Sequence, residues 1–369
     1  MFASRNFLFA RSAAAAPIIS GKLFMWGDNF AGALGTGNTT YYSSPKQIGA
    51  LTTWSKLATG NHTLAVKSTG ELWSWGFNTY GGLGLGNTTN RSSPVQVGSL
   101  TNWATPTADA GGTSFCIKTD GTLWSWGRNQ FGQLGLGNTT NYSSPKQIGS
   151  STNWTTVSAG YRFALAVDNT GKLFAWGYNG WGNLGTGNTT YFSSPVQVGA
   201  LTNWKTPGAG NYHSLCVKTD GTLWAWGNNG QGRLGLGNTT FYSSPKQVGA
   251  LTNWAIPKGG AASSMCTKTD GTLWTWGAGG YGRLGLGNTT NYSSPKQVGA
   301  LTNWSVPASG NSFNSCLKTD GTLWAWGNNN AGQLGQGNTT NCSSPVQVGS
   351  LTTWIVPSAG SSTIGCIQT

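Results

Sequence analysis

Side chains that could do covalent or acid–base chemistry are few in this chain of 369 residues: six Cys, two His and eight Asp plus Glu. Six cysteines invite a disulfide framework. Five of them, Cys116, Cys216, Cys266, Cys316 and Cys366, fall at one recurring position, where two further copies carry Ala65 and Ala166. Equivalent positions in successive structural units do not approach the ~6 Å Cα separation of a disulfide. They therefore read as buried, reduced thiols, and Cys342, where most copies have Tyr or Phe, as the accessible one. No CxxC pair offers a structural zinc site, and His62 and His213 lie in no HExxH-type ligand spacing. Asp120, Asp220, Asp270 and Asp320 each sit in a Thr-Asp-Gly turn, where a carboxylate caps local backbone donors. Asp28, Glu71, Asp109 and Asp168 form no carboxylate pair of the glycosidase kind. The recurring Ser-Ser-Pro serines lack a base and an orienting group, and LGLGNTT lacks the Lys and the helix of a phosphate loop. The expectation is a non-enzymatic protein with no metal and no cofactor.

The elements that carry these residues are set by repetition, which decides the reading before any propensity does. Trp-Gly recurs at Trp26, Trp75, Trp126, Trp176, Trp226, Trp276 and Trp326, at spacings of 49, 51, 50, 50, 50 and 50. Within one unit, Ser214 to Lys218 and Thr222 to Trp226 are short apolar and aromatic runs around a Thr-Asp-Gly turn, a β-hairpin signature. Pro245 to Val248 and the residues after Trp254 supply two more extended segments, and no helical period intervenes. Four strands per 50 residues predict an all-β, seven-bladed β-propeller of four-stranded blades. The chain enters at Gly21 with the second half of a hairpin and leaves at Ile364 to Thr369 with the first half. Pairing the N- and C-terminal strands closes the ring and removes two open edges. The Trp-Gly column and a second one at Trp54, Trp103, Trp154, Trp204, Trp254, Trp304 and Trp354 are expected to pack between sheets. Residues 21–369 form the propeller, preceded by an arm at 1–20 whose apolar segment is interrupted by Arg11 before signal-peptide length.

The template WGxNxxGQLGxG, together with Gly210-Asn211-Tyr212-His213-Ser214-Leu215-Cys216-Val217, resembles the regulator of chromosome condensation repeat family. The likeness spans residues 21 to 369 and implies a seven-bladed propeller. Family roles include guanine-nucleotide exchange factors, chromatin binders, ubiquitin-ligase domains and an inhibitor of β-lactamases, so the resemblance does not fix a function. The acidic residue that often follows the loop Asn in the best-known member is here Phe30, Thr79, Gln130, Gly180, Gly230, Gly280 or Asn330, and the family His survives only at His62 and His213. A regulator of a small GTPase or of chromatin therefore ranks second. Such near-identical blades resemble repeats of bacteriophage and bacterial proteins. The leading expectation is a virion-associated capsid-decoration, tail or fibre protein, bound to capsid or tail proteins through arm residues Phe2, Arg5, Phe7, Leu8, Phe9 and Arg11. A lectin-like propeller binding host-surface glycan is the third reading.

Copies within the chain can be compared with one another, and they differ chiefly in two loops. One precedes the first hairpin strand and the other follows each Trp-Gly. Antiparallel hairpin geometry puts both at the same end of the blade. The candidate binding face is Phe77, Tyr80, Arg128, Phe131, Arg162, Tyr178, Trp181, Tyr212, His213, Arg233, Tyr281 and Arg283, rich in the residue types of binding hot spots. The net charge of +13, from 21 Lys and Arg against eight acids, is diffuse and reads first as solubilising, and only second as attraction for nucleic acid, anionic lipid or another acidic partner. No run of adjacent Lys and Arg marks a nucleic-acid footprint, and no apolar stretch reaches the ~20 residues of a membrane span.

Overall fold

A computed structural model describes residues 19–369, which form seven four-stranded antiparallel sheets. The arm residues Phe2, Arg5, Phe7, Leu8, Phe9 and Arg11 lie outside the described residues. In one blade the strands run Trp204–Ala209, His213–Lys218, Leu223–Gly227 and Tyr242–Gln247, each hydrogen-bonded to the next. The central hairpin turns at Thr219 to Gly221, where Asp220 Oδ1 accepts from the Thr222 backbone N–H and hydroxyl at 2.9 and 2.6 Å. Gly221 is obligatory there: its φ is +76° and a Cβ would lie 1.9 Å from the Thr252 carbonyl oxygen. Proline occupies both outer strands of this sheet, Pro207 in the inner one and Pro245 in the outer one. Edges are where a missing N–H costs no ladder bond.

Ring closure follows the expected plan. The strand Lys22–Gly27 pairs antiparallel with Thr363–Gln368 through six consecutive residue pairs, flanked by Tyr42–Gln47 and Trp354–Ala359. The last blade is thus sewn from both termini, and every blade has two neighbours.

The core lies between blades, because each thin sheet buries its faces only against the next. All seven Trp-Gly tryptophans are fully buried, as is nearly all of the second column. Trp204 meets Trp226 at 6.0 Å and Trp224 at 6.1 Å between ring centroids, both edge-to-face, and other blades repeat the arrangement. Six of the seven Trp-Gly indoles also donate to the preceding blade, as Trp226 Nε1 does to the Asn183 carbonyl at 2.9 Å. Trp75 Nε1 alone of these has no partner.

The cysteine column has a steric explanation that the strand register exposes. Cys116, Cys216, Cys266, Cys316 and Cys366 face Pro106, Pro207, Pro257, Pro307 and Pro357 across the sheet, whereas Ala65 and Ala166 face Leu57 and Val157. A larger residue on one strand is matched by a smaller one on its partner, as close packing demands. All six cysteines are free; only Cys342 is not fully buried. Burial pushes the thiols of Cys116 and Cys216 up to about 12.

Candidate functional site

The two variable loops of each blade meet at one end of the sheet and are hydrogen-bonded together there. The Tyr178 N–H donates to the Arg162 carbonyl, Arg128 to Gly112, Asn228 to Tyr212 and Phe77 to Asn61, at 2.9 to 3.3 Å. The post-Trp-Gly loop is held from below by a buried Asn. Asn179 Nδ2 donates to the carbonyls of Asn188 and Thr190, and its Oδ1 accepts from the Leu184 N–H at 2.8 Å. This fixed frame recurs in six blades and leaves the residues between its anchors free to vary.

Across blades the varying residues assemble into an arc of aromatic rings and guanidinium groups. Phe30 packs near Phe77 (6.4 Å), Phe77 near Tyr80 (6.1 Å), and Arg128 stacks over Tyr80 at 4.6 Å. A second group centres on Arg162, whose guanidinium lies 4.9 Å from Phe131 and 4.5 Å from Tyr161 and donates to the Tyr161 hydroxyl at 2.9 Å. Tyr178 joins Phe131, Tyr191 and Tyr212 at 4.9 to 6.1 Å. Trp181, 38 % exposed, meets Phe241 edge-to-face at 5.2 Å. Tyr281 stands apart, half exposed, over Arg283.

Arg162 has φ +73°, a left-handed conformation that costs a non-glycine residue about 1–2 kcal/mol. Its N–H points to Asp109 Oδ2 at 3.4 Å, and Asp109 Oδ1 accepts from the N–H groups of Gly111 and Thr113 at 2.8 and 2.6 Å. Asp109 stands where six blades have glycine, so one buried carboxylate organises its own loop and the next blade's. Burial pushes its carboxyl up to about 6 against the opposing pull of those donors.

Three residues of the expected face do not belong to it. His213 is fully buried, with Nε2 2.8 Å from the Ser264 hydroxyl, and burial, then the Arg233 charge, hold it well below the ordinary histidine range. Its counterpart His62 makes the same contact with Ser114. Arg233 and Arg283 are at least nine-tenths buried and spend their donors on loop carbonyls: Arg233 on Ala261 at 2.9 Å, Arg283 on Gly280 at 2.9 Å and Asn311 at 3.3 Å. They brace neighbouring loops from beneath. Conversely, Phe30, Tyr161, Tyr191 and Phe241 join the arc without having been singled out. The last two belong to the column Tyr41, Asn90, Asn141, Tyr191, Phe241, Asn291 and Asn341. Its asparagines cap the loop backbone, as Asn141 does for the Asn129 N–H at 2.7 Å, and its aromatics lie over the loop instead. That switch between two residue classes was the available signal.

The opposite rim is also less bare than the Lys-Thr-Asp sequence suggests. The Lys118 ammonium lies 3.8 Å from the Trp124 ring centre and 4.6 Å from Trp103, and Lys218, Lys268 and Lys318 repeat this. Cation–π contact, in addition to the neighbouring Asp, accounts for their placement. Among the described residues no group of three or more His, Cys, Asp or Glu could hold a metal ion. No helix among them is long and apolar enough to cross a membrane.

The RCC1-like domain profile matches residues 107–366, and the regulator of chromosome condensation (RCC1) repeat profile matches residues 20–66 and 69–117. No curated protein matches the sequence significantly. Among solved structures, human WBSCR16 superposes with a TM-score of 0.84 at 20 % identity, over 94 % of this chain and 98 % of that one. Prp20p from Saccharomyces cerevisiae gives 0.83 at 20 % identity, over 96 % and 93 %, and its structure is described with its binding properties to Gsp1p and histones. Yeast RCC1 (Prp20) bound to Kap60 gives 0.81 at 20 % identity, over 100 % and 97 %. At this identity the likeness is one of fold.

Proposed function

Because the chain belongs to the RCC1-like family, we propose that it is a non-enzymatic, protein-binding propeller that regulates a partner docked on the aromatic and arginine arc of its loop face. The observation that carries this is the Arg162 cluster. A non-glycine residue is held in a costly backbone conformation with its guanidinium beside two aromatic rings, in a region where the repeats diverge most. Rigid aromatics with a pre-oriented Arg are the composition of interface hot spots. The net charge of +13 and the position of Arg128 and Arg162 favour a partner surface bearing carboxylates.

A small GTPase is the first partner to test. Exchange factors are among the family's roles, and similar propellers are described as binding proteins, Gsp1p and histones in one case and Kap60 in another. Basic histones fit this cationic face poorly. Attachment to capsid or tail proteins has no support in the face or in the comparisons. Glycan binding likewise has no support in the comparisons. The test is nucleotide release from a panel of small GTPases with the wild type and a Phe131→Ala/Tyr178→Ala variant. Acceleration by the wild type and its loss in the variant supports the reading. Neither acceleration nor binding at micromolar concentration refutes the GTPase form.

A further inference from the structure

The seven inner strands surround an axial channel of about 220 Å³ that opens on the loop face. At one level its wall is made by Ala58, Thr107, Ser158, Lys258, Ala308 and Ser358, with Gly208 at the equivalent position of the seventh blade, so a single blade replaces a small residue by lysine. Lys258 is reached by solvent inside the channel yet enclosed by the ring, and desolvation lowers its affinity for a proton. The wall hydroxyls are already committed between blades: Ser158 Oγ accepts from the Ala209 N–H and Ser358 Oγ from the Thr59 N–H, both at 3.0 Å. Among the described residues, the one carboxylate lining the channel, Asp109, is held by the backbone of its own loop and the next.

Two further guanidinium groups lie buried behind the loops around the channel. Arg283 donates to the carbonyl of Asn311, itself a channel residue, and Arg233 to that of Ala261 one blade away. The two guanidinium groups are close enough for Arg283 to add to the burial that lowers Arg233 to about 10. Loop carbonyls accept from Arg233 and Arg283, whereas the Lys258 ammonium has no ion-pair partner among the described residues. A bound anion supplies the missing counter-charge.

We propose that the axial channel is a binding site for a small oxyanion, carboxylate or phosphate, with Lys258 as its charged contact. The inference is independent of the partner on the outer arc. The test is thermal unfolding and calorimetric titration of the full chain with inorganic phosphate and, separately, acetate, chloride being exchanged to hold ionic strength constant. The wild type is expected to be stabilised in proportion to ligand. Lys258→Met is expected to lose the response at least tenfold in affinity while folding as well as wild type in ligand-free buffer, since an unpaired cation in the channel becomes an apolar side chain of similar length. Lys258→Gln provides the polar variant should Met not fold, and Lys246→Met on an outer strand retains the response. Response to acetate alone identifies a carboxylate ligand and response to phosphate alone a phosphoryl ligand; both support the site. A wild type indifferent to both anions, or a Lys258 variant with the full wild-type response, overturns it.

Discussion

Replacing Arg162 separates the cost of holding the site from what the site contributes. Arg162→Ala keeps the left-handed backbone and deletes two cation–π contacts and one hydrogen bond to Tyr161. At about 0.5–1 kcal/mol for each stacking contact and about 1 kcal/mol for the hydrogen bond, the loss is about 2–3 kcal/mol. Arg162→Gly loses the same contacts but relieves the strain at φ +73°, returning about 1 kcal/mol after the extra entropy of glycine in the unfolded chain. With an unfolding entropy of about 2.1 cal/mol/K per residue, 1 kcal/mol moves the midpoint of a chain this long by about 1–2 °C. Scanning calorimetry should therefore rank wild type above Gly, and Gly above Ala, with the last two about 1–2 °C apart. Both variants should weaken partner binding by about 30-fold, the loss of a hot spot worth about 2 kcal/mol. A glycine variant no more stable than the alanine variant refutes the strained conformation, and a glycine variant that binds like wild type refutes the role assigned to the guanidinium.

Trp226→Phe should cost about 1 kcal/mol more in denaturant unfolding than Trp75→Phe, because only the first loses an indole hydrogen bond to the preceding blade; equal costs would contradict that assignment. Asp109→Asn isolates the buried carboxyl. A folded-state value raised to about 6 means that the native protein binds the proton more tightly, so ionisation between about pH 4 and pH 6 removes stability. The Asn variant should gain on wild type by up to about 3 kcal/mol between pH 4 and pH 7, and a constant difference would show that the backbone donors cancel the desolvation. A thiol reagent should modify Cys342 alone in the native state and all six cysteines after unfolding; fast reaction of a second native thiol would contradict the packing of the Cys–Pro pairs.

Architecture was legible because a 50-residue period states the blade directly and the split hairpin at the termini states the closure. Both tryptophan columns were legible as core for the same reason, one ring per blade per interface. The face was only partly legible. Arg233 and Arg283 sit in loops whose sequences look as exposed as that of Trp181, yet they occupy the position just before the recurring Leu-Gly, which turns inward beneath the next blade. Tyr191 and Phe241 lie more than a dozen residues downstream of the Trp-Gly, and only the Asn179-type scaffold folds that stretch back over the loop. The left-handed backbone at Arg162 had no sequence signature, since nothing but glycine announces a positive φ. Lys258 was visible as the odd residue in a small-residue column, but only the ring shows that the column faces an enclosed channel.

The claim that the loop face carries the partner is tested most directly by cross-linking. The full chain would be incubated with the partner it captures from its native source, the partner's amines having been labelled with a diazirine that inserts into any neighbouring side chain, then photo-cross-linked and digested for mass spectrometry. Contacts are predicted to converge on the loops around Phe77 to Tyr80, Arg128 to Phe131, Tyr161 to Arg162 and Tyr178 to Trp181, and to vanish in the Phe131→Ala/Tyr178→Ala variant. Cross-links confined to the Lys118, Lys218, Lys268 and Lys318 rim, or unchanged in the variant, would contradict the account.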